Sequence, residues 1–244
     1  MDFFEVIFGN GRWVYFWHGF EVTMLLTTIA VIAGLILGLL LALLRTSISK
    51  PFKLLKKLPK YPKSKFLQKF ADFNPLQAFA KLYIGIIRGT PALVQLLIMY
   101  YVVFGSIRTM PKLIVAAIAF AINSSAYIAE IIRGGIESVD KGQLEAARSL
   151  GFSHFKAMYY VVLPQAMKNA MPGLIGYGVT LFKETSIVGW IGLVDIMRGA
   201  DDIRSLTATA FQSLFAAAIL YLVITTVFSN LMFRLEKKIS KEEN

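Results

Sequence analysis

Glu145-Ala146-Ala147, then Gly151 after three residues, then Val161 and the pair Leu163-Pro164, lie between hydrophobic runs long enough to cross a bilayer. The local chemistry of this stretch predicts two short helices set at an angle. Asp140 is placed to cap a helix starting at Lys141, with Gln143 positioned to close a reciprocal capping pair. Ala146 and Ala147 favour helix and keep one surface small, so a partner's backbone can come close. Gly151 can take the positive φ that ends a helix and turns the chain. Ser153 can then cap a second helix through His154 to Tyr160, and Pro164 suits the first turn of the segment that follows. Two such helices form a lever that fits a cleft in a separate domain.

Outward from this loop, the composition describes a membrane protein. Of 244 residues, 56% are hydrophobic and only 17% charged, with a mean hydropathy of +0.61. A soluble domain of this length carries more charge and shorter apolar runs. The expected fold is all-α: one polytopic membrane helix bundle with five transmembrane helices. The spans fall at about 21–44, 78–104, 113–132, 167–193 and 209–233, with a basic loop at 45–77 and the two-helix loop at 133–164.

The net charge of +11 raises the question of a nucleic-acid partner, and its distribution answers it. Nine basic residues fall between Arg45 and Lys69, and Arg234, Lys237, Lys238 and Lys241 follow the last apolar run. Basic residues that flank membrane spans mark cytoplasmic loops. Here they set topology, with the N-terminus outside and the C-terminus in the cytoplasm, and no nucleic-acid partner is expected. The first span has no basic region before it and no clear cleavage site, so it reads as an uncleaved anchor. Trp13, Tyr15 and Trp17 beside it read as an aromatic belt.

Several positions within the spans carry their own signals. Gly34 and Gly38, four apart, would let another helix approach closely. Arg88-Gly89-Thr90-Pro91 predicts a break or kink in the second span. Asn123-Ser124-Ser125-Ala126 marks a helix–helix face or a water-facing wall, and Glu130 with Arg133 an interfacial charge cluster. The lysine-rich segment from Lys50 to Asp72, broken by Pro51, Pro59 and Pro62, reads either as an interfacial segment on anionic lipid or as a solvated basic loop.

Three further stretches, in order, extend the pattern: RGTPALVQ from Arg88 to Gln95, NSSAYIAEIIR from Asn123 to Arg133, and Lys183-Glu184-Thr185-Ser186. With these, and with Gly142-Gln143 ahead of Glu145, the chain from about Phe20 to Lys238 resembles a permease subunit of the polar amino-acid uptake family of ABC transporters, a type I importer. Val161 stands where the family usually has isoleucine, and Glu184 where it more often has Asp or Asn.

The resemblance implies a bacterial cell membrane, a separate ABC ATPase and an extracytoplasmic solute-binding protein. It makes Gly142, Gln143, Glu145, Ala146, Ala147, Gly151, Leu163 and Pro164 the surface that docks into the ATPase and couples to it. ATP-Mg then belongs to the ATPase, and no cofactor to this chain. Five spans do not enclose a central pathway comfortably, so a second permease subunit is expected, identical or related. Polar amino acids are the implied solutes, with basic ones slightly favoured if the Glu184 carboxylate meets a cationic group. Thr90, Gln95, Thr185 and Ser186 are the accompanying hydrogen-bonding candidates along the solute pathway. The other reading of Glu184 is a structural ion pair with a neighbour near Lys183 or with Arg88.

Other classes of function lack their residues. There is no GxxxxGK[ST] phosphate loop, so the chain is not expected to bind or hydrolyse ATP itself. A membrane-embedded enzyme needs a convergent nucleophile, acid–base pair or metal set, and none is assembled by these motifs. With no cysteine and no HExxH spacing around His18 or His154, no metal site is assigned. A channel or secondary transporter would have no use for a docking loop.

Overall fold

Residues 2–46, 72–107 and 109–241 are described by the computed structural model, with side chains in the last helix as far as Arg234. The lysine-rich segment falls outside these residues, and with it the choice between its two readings. Among the described residues every regular element is helical. The order is α1 (Phe3–Phe8), α2 (Trp13–Thr46), α3 (Pro75–Gly89), α4 (Ala92–Ile98), α5 (Lys112–Glu137), α6 (Lys141–Ser149), α7 (His154–Ala157), α8 (Leu163–Glu184), α9 (Ile196–Thr207) and α10 (Ala210–Lys241).

The bundle is built around α5, which packs most extensively on α2 and next on α8. No hydrophobic force drives helices together inside lipid, so close contact must do it. Gly34 and Gly38 of α2 supply that contact: a Cβ at Gly34 would lie 2.3 Å from Ser124 Oγ, and one at Gly38 would lie 2.7 Å from Ile128 Cγ2. The proximity brings Ser124 Oγ within 2.9 Å of Ala30 O across the interface, an acceptor that shares the hydroxyl's one proton with Phe120 O of α5 at 2.6 Å. The Asn123–Ala126 set is therefore largely a buried helix–helix face.

Trp13–Thr46, Lys112–Glu137 and Ala210–Arg234 are each long and apolar enough to span a membrane. Together α3 and α4, continued to Val103 and bent by 104°, are also long and apolar enough to cross as one broken pair. Asn74 caps α3 through the Gln77 N–H at 3.1 Å, and the helix stops at Gly89 because Pro91 disfavours helix at the residue before it. The fourth expected span, at about 167–193, falls on α8, which is long enough to cross but ends at Glu184, before a 3-10 segment at Thr185–Ile191, and carries Lys168, Asn169, Lys183 and Glu184.

Pro164 and Pro172 do not interrupt α8 as a new start would require. Helical structure runs unbroken from His154 to Glu184, because residues 158–162 form a π turn in which Leu163 N–H reaches Met158 O. The wider turn sits directly before Pro164, whose ring would otherwise press on the carbonyl four residues back. The same pentapeptide, MYYVV, forms the same turn at Met99–Val103. Its adjacent tyrosines meet edge to face in both places, at 4.9 Å for Tyr100–Tyr101 and 5.0 Å for Tyr159–Tyr160.

At the opposite end from the docking loop, α9 packs against the start of α2. Asp195, fully buried, caps α9 by accepting from Arg198 N–H at 3.0 Å and Met197 N–H at 3.3 Å. Burial outweighs those bonds and pushes its carboxyl from 3.8 up to about 6. The folded chain thus holds this proton more tightly than the unfolded chain. The resulting stability is complete below the unfolded value and is lost as pH rises through the folded one. Asp195→Asn is expected to flatten this loss in melting curves taken between about pH 4 and about pH 8. An unchanged pH dependence would remove Asp195 as its source.

Candidate functional site

The docking loop is the clearest assembly of the expected residues. Asp140 accepts from Gly142 N–H at 2.6 Å and starts α6, although no return bond from the Gln143 side chain closes a capping box. At the other end Gly151 has φ +87°. Phe152 N–H reaches Ala147 O at 3.2 Å and Gly151 N–H reaches Arg148 O at 3.1 Å, the paired closure of a Schellman turn. Ser153 Oγ accepts from Lys156 N–H at 3.3 Å and starts α7.

A small core of Val139, Val162 and Ala166, with Ile136, Leu144 and Met158 around it, seats the loop on the bundle. Ala147 is buried under α6, whereas Gly142, Gln143, Glu145, Ala146 and Gly151 are exposed. Leu163 and Pro164 stand apart from that surface, at the junction into α8. Leu150 and Phe155 project from the same loop, 81% and 77% exposed.

The second assembly lies beside the 104° bend. Asn123, Tyr127 and Glu130 recur at i, i+4 and i+7 and share one face of α5. Asn123 Nδ2 donates to Gln95 Oε1 at 3.1 Å. Gln95 Nε2 in turn donates to Ile87 O at 2.7 Å, Thr90 Oγ1 at 2.7 Å and Thr90 O at 3.1 Å, tying off the carbonyls that the break releases. Asn123 is 2% exposed, and its Oδ1 has no hydrogen-bond partner among the described residues. One turn further along, Tyr127 stacks on Tyr177 of α8 at 5.4 Å and lies under the Arg88 guanidinium at 5.5 Å.

Glu130 ends the stripe and binds three arginines from three helices. Its Oε2 meets Arg45 NH1 at 2.5 Å, and its Oε1 meets Arg133 NH2 at 2.6 Å and Arg88 NH1 at 3.8 Å. Arg133 also pairs with Glu137. The expected interfacial charge cluster is therefore a hub joining α2, α3 and α5.

The five candidate pathway residues separate. Thr90 and Gln95 come together at the bend. Glu184, two turns beyond Tyr177 on α8, makes no ion pair among the described residues, since Arg88 turns to Glu130 instead. Thr185 is fully buried, donating to Phe182 O at 2.9 Å and lying 3.5 Å from Thr27 Oγ1, so it packs helices and faces no open wall. Ser186 lines a separate polar cleft of about 500 Å³ with Trp190, Arg198 and Asp201. Tyr127, Tyr177 and Arg88 were not singled out from sequence as pathway residues. The signal available was the i, i+4, i+7 spacing of polar side chains in an apolar span. An apolar recess of about 460 Å³ between α2, α8 and α10 offers Met24, Met167, Met171 and Phe228, but little to bind a polar solute. Among the described residues no group of three or more His, Cys, Asp or Glu is placed to hold a metal.

A membrane helix bundle with one sharply bent helix pair, a polar wall beside the bend and an exposed two-helix loop is the build of a transport permease. Residues 70–241 match the family described as the binding-protein-dependent transport system inner membrane component. The chain belongs to that family.

It is 37% identical over 222 residues to the glutamine transport system permease protein GlnP of Rickettsia felis, covering 91% of each chain. It is 34% identical over 234 residues to the arginine transport system permease protein ArtQ of Bacillus subtilis, covering 93% of each. A solved structure of an amino acid ABC transporter with histidines superposes with a TM-score of 0.80 at 39% identity, over 98% of this chain and 99% of that one. The chain is the permease subunit of an amino-acid ABC importer, an inner-membrane transport component and not an enzyme.

Proposed function

We propose that this permease carries polar amino acids along the Asn123–Tyr127 face of α5 and takes its driving force from an ABC ATPase docked on α6 and α7. The rigid, exposed loop closed at Gly151 carries the reading. A structure capped at both ends transmits displacement, and its apolar tips give an ATPase something to hold. ATP-Mg stays on the ATPase. The solute arrives from an extracytoplasmic binding protein, and a second permease subunit completes the pathway. The N-terminus lies outside and the basic C-terminus inside.

Within polar amino acids, Glu184 favours cationic side chains. It is a half-buried carboxylate without an ion-pair partner among the described residues, two turns from the tyrosine stack. Charged groups at membrane depth that lack a structural partner are commonly functional. The relatives named for glutamine and for arginine bracket this choice without making it.

Reconstitution with the ATPase and binding protein, followed by ATPase stimulation across single amino acids, tests the reading. Stimulation by arginine, lysine or histidine is expected to exceed that by glutamine or glutamate. Glu184→Gln should cost roughly 10-fold or more for cationic solutes alone, since a charge-assisted hydrogen bond contributes about 1.5–3 kcal/mol. Equal losses for neutral and cationic solutes would make Glu184 structural.

A further inference from the structure

We propose that Arg88 reads the α-carboxylate of the transported amino acid, giving up Glu130 to do so. The inference rests on the reading of the α5 face as the solute pathway.

The observations concern what holds Arg88. A guanidinium at membrane depth is costly unless its charge and its N–H groups are satisfied. Arg88 stands in the last turn of α3, immediately before the 104° bend. Its side chain is 42% exposed, so the group is reachable. Glu130 supplies its one ion pair, at 3.8 Å, too long for a hydrogen bond. Both Glu130 oxygens are already taken at shorter range by Arg45 and Arg133. Three guanidinium groups therefore share two carboxylates, Glu130 and Glu137, and Arg88 is the one left over.

Nor does the bend itself satisfy Arg88. At the break the carbonyl of Ile86 accepts from Thr90 Oγ1, and those of Ile87 and Thr90 accept from Gln95 Nε2. Among the described residues Arg88 donates no hydrogen bond. It is steadied only from below, by the face of Tyr127 at 5.5 Å, a cation–π contact that fixes the plane of the group without using its donors.

A planar fork of free N–H groups is shaped for bidentate contact with a carboxylate. Every α-amino acid brings one, whatever its side chain. Arg88 would therefore hold what all solutes have in common, while Glu184 tells side chains apart. Glu130 serves as the stand-in anion when the pathway is empty. It keeps Arg88 from leaving the bend, yet at a distance that a better-placed carboxylate outcompetes.

The test uses the assembled permease–ATPase complex in lipid nanodiscs without the binding protein, so that recognition by the permease itself is read. Binding of L-arginine and L-glutamine is compared with that of their α-carboxamides, argininamide and glutaminamide. Wild type is expected to prefer each acid over its amide by roughly 10-fold or more. Arg88→Gln should bind acid and amide alike, and Arg88→Lys should keep part of the preference. Should Arg88→Gln fail to assemble, Arg88→Lys serves instead: it keeps the charge beside Glu130 but not the planar fork, and should narrow the preference for acid over amide below the wild-type ratio. A wild type indifferent to amidation, or an Arg88→Gln that still discriminates as wild type does, would overturn the assignment and leave the permease reading intact. A wild type that binds neither amino acid would overturn the pathway reading itself, and Arg88 with it.

Discussion

Gly151→Val is expected to abolish uptake while leaving the membrane bundle as stable as before. Gly151 sits at φ +87°, and an added Cβ would meet no atom within 4 Å, so the cost is one of backbone conformation and not of clash. An ordinary L-residue pays about 1–2 kcal/mol in the left-handed region, and a β-branched one pays more. The chain relieves that strain by giving up the bonds from Phe152 to Ala147 and from Gly151 to Arg148, which unwinds the end of α6. Leu150 and Phe152, on either side of Gly151, then leave their places on the loop.

Glu145→Arg attacks the same function without touching the backbone. Its carboxylate is exposed and makes no ion pair among the described residues, so reversing its charge should change stability by less than about 0.5 kcal/mol. Both variants are expected to lose co-purification with the ATPase and to drop solute uptake by roughly 10-fold or more, about 1.4 kcal/mol of coupling. Melting curves should stay close to wild type. Normal uptake with normal co-purification in both would remove this loop from the coupling path.

What was legible in the sequence, and what was not, follows from how local each rule is. Asp140, Gly151 and Ser153 act on backbone groups within a few residues of themselves, so the caps and the turn of the docking loop could be read directly. Gly34 and Gly38 were readable as a close-approach face because helix geometry alone puts residues four apart on one side. Which helix approached them was not.

The polar wall escaped for the same reason. Tyr127 and Tyr177 meet although 50 positions apart in the chain, and Glu130 collects arginines from three helices. No local spacing encodes either. Thr185 looked like a pathway residue because its motif is polar, but packing against Thr27 of α2 buries it. Pro164 suited the first turn of a new segment and fell there, yet the π turn before it let the helix arrive unbroken. The repeat of MYYVV was visible in the sequence. Its meaning, a shared widened turn, depended on what each copy precedes.

Gly34→Val should be the most damaging single change within the bundle. The site lies at the largest helix contact, where the new Cβ would be 2.3 Å from Ser124 Oγ and 2.9 Å from Ser124 Cβ. Ser124 Oγ could rotate aside, but Ser124 Cβ is fixed to the backbone, so α2 and α5 must separate. Overpacking of this kind typically costs about 1–3 kcal/mol. The separation also removes the contact of Ser124 Oγ with Ala30 O, while the hydroxyl keeps Phe120 O of its own helix as acceptor.

The damage does not stay at the interface. Ser124 neighbours Asn123, and Ile128 neighbours Tyr127, so a shift of α5 away from α2 displaces the wall that faces the bend. Gly34→Ala should fall between wild type and valine, because one methyl asks for less separation than three carbons. Gly85→Val provides the control, since a Cβ at Gly85 meets nothing within 4 Å and its cost is expected to be small. Thermal unfolding of the purified complex should order the variants as wild type, Gly85→Val, Gly34→Ala, Gly34→Val. If Gly34→Val melts with Gly85→Val, the α2–α5 contact is not what holds the bundle. The polar wall must then owe its position to α8 and the tyrosine stack.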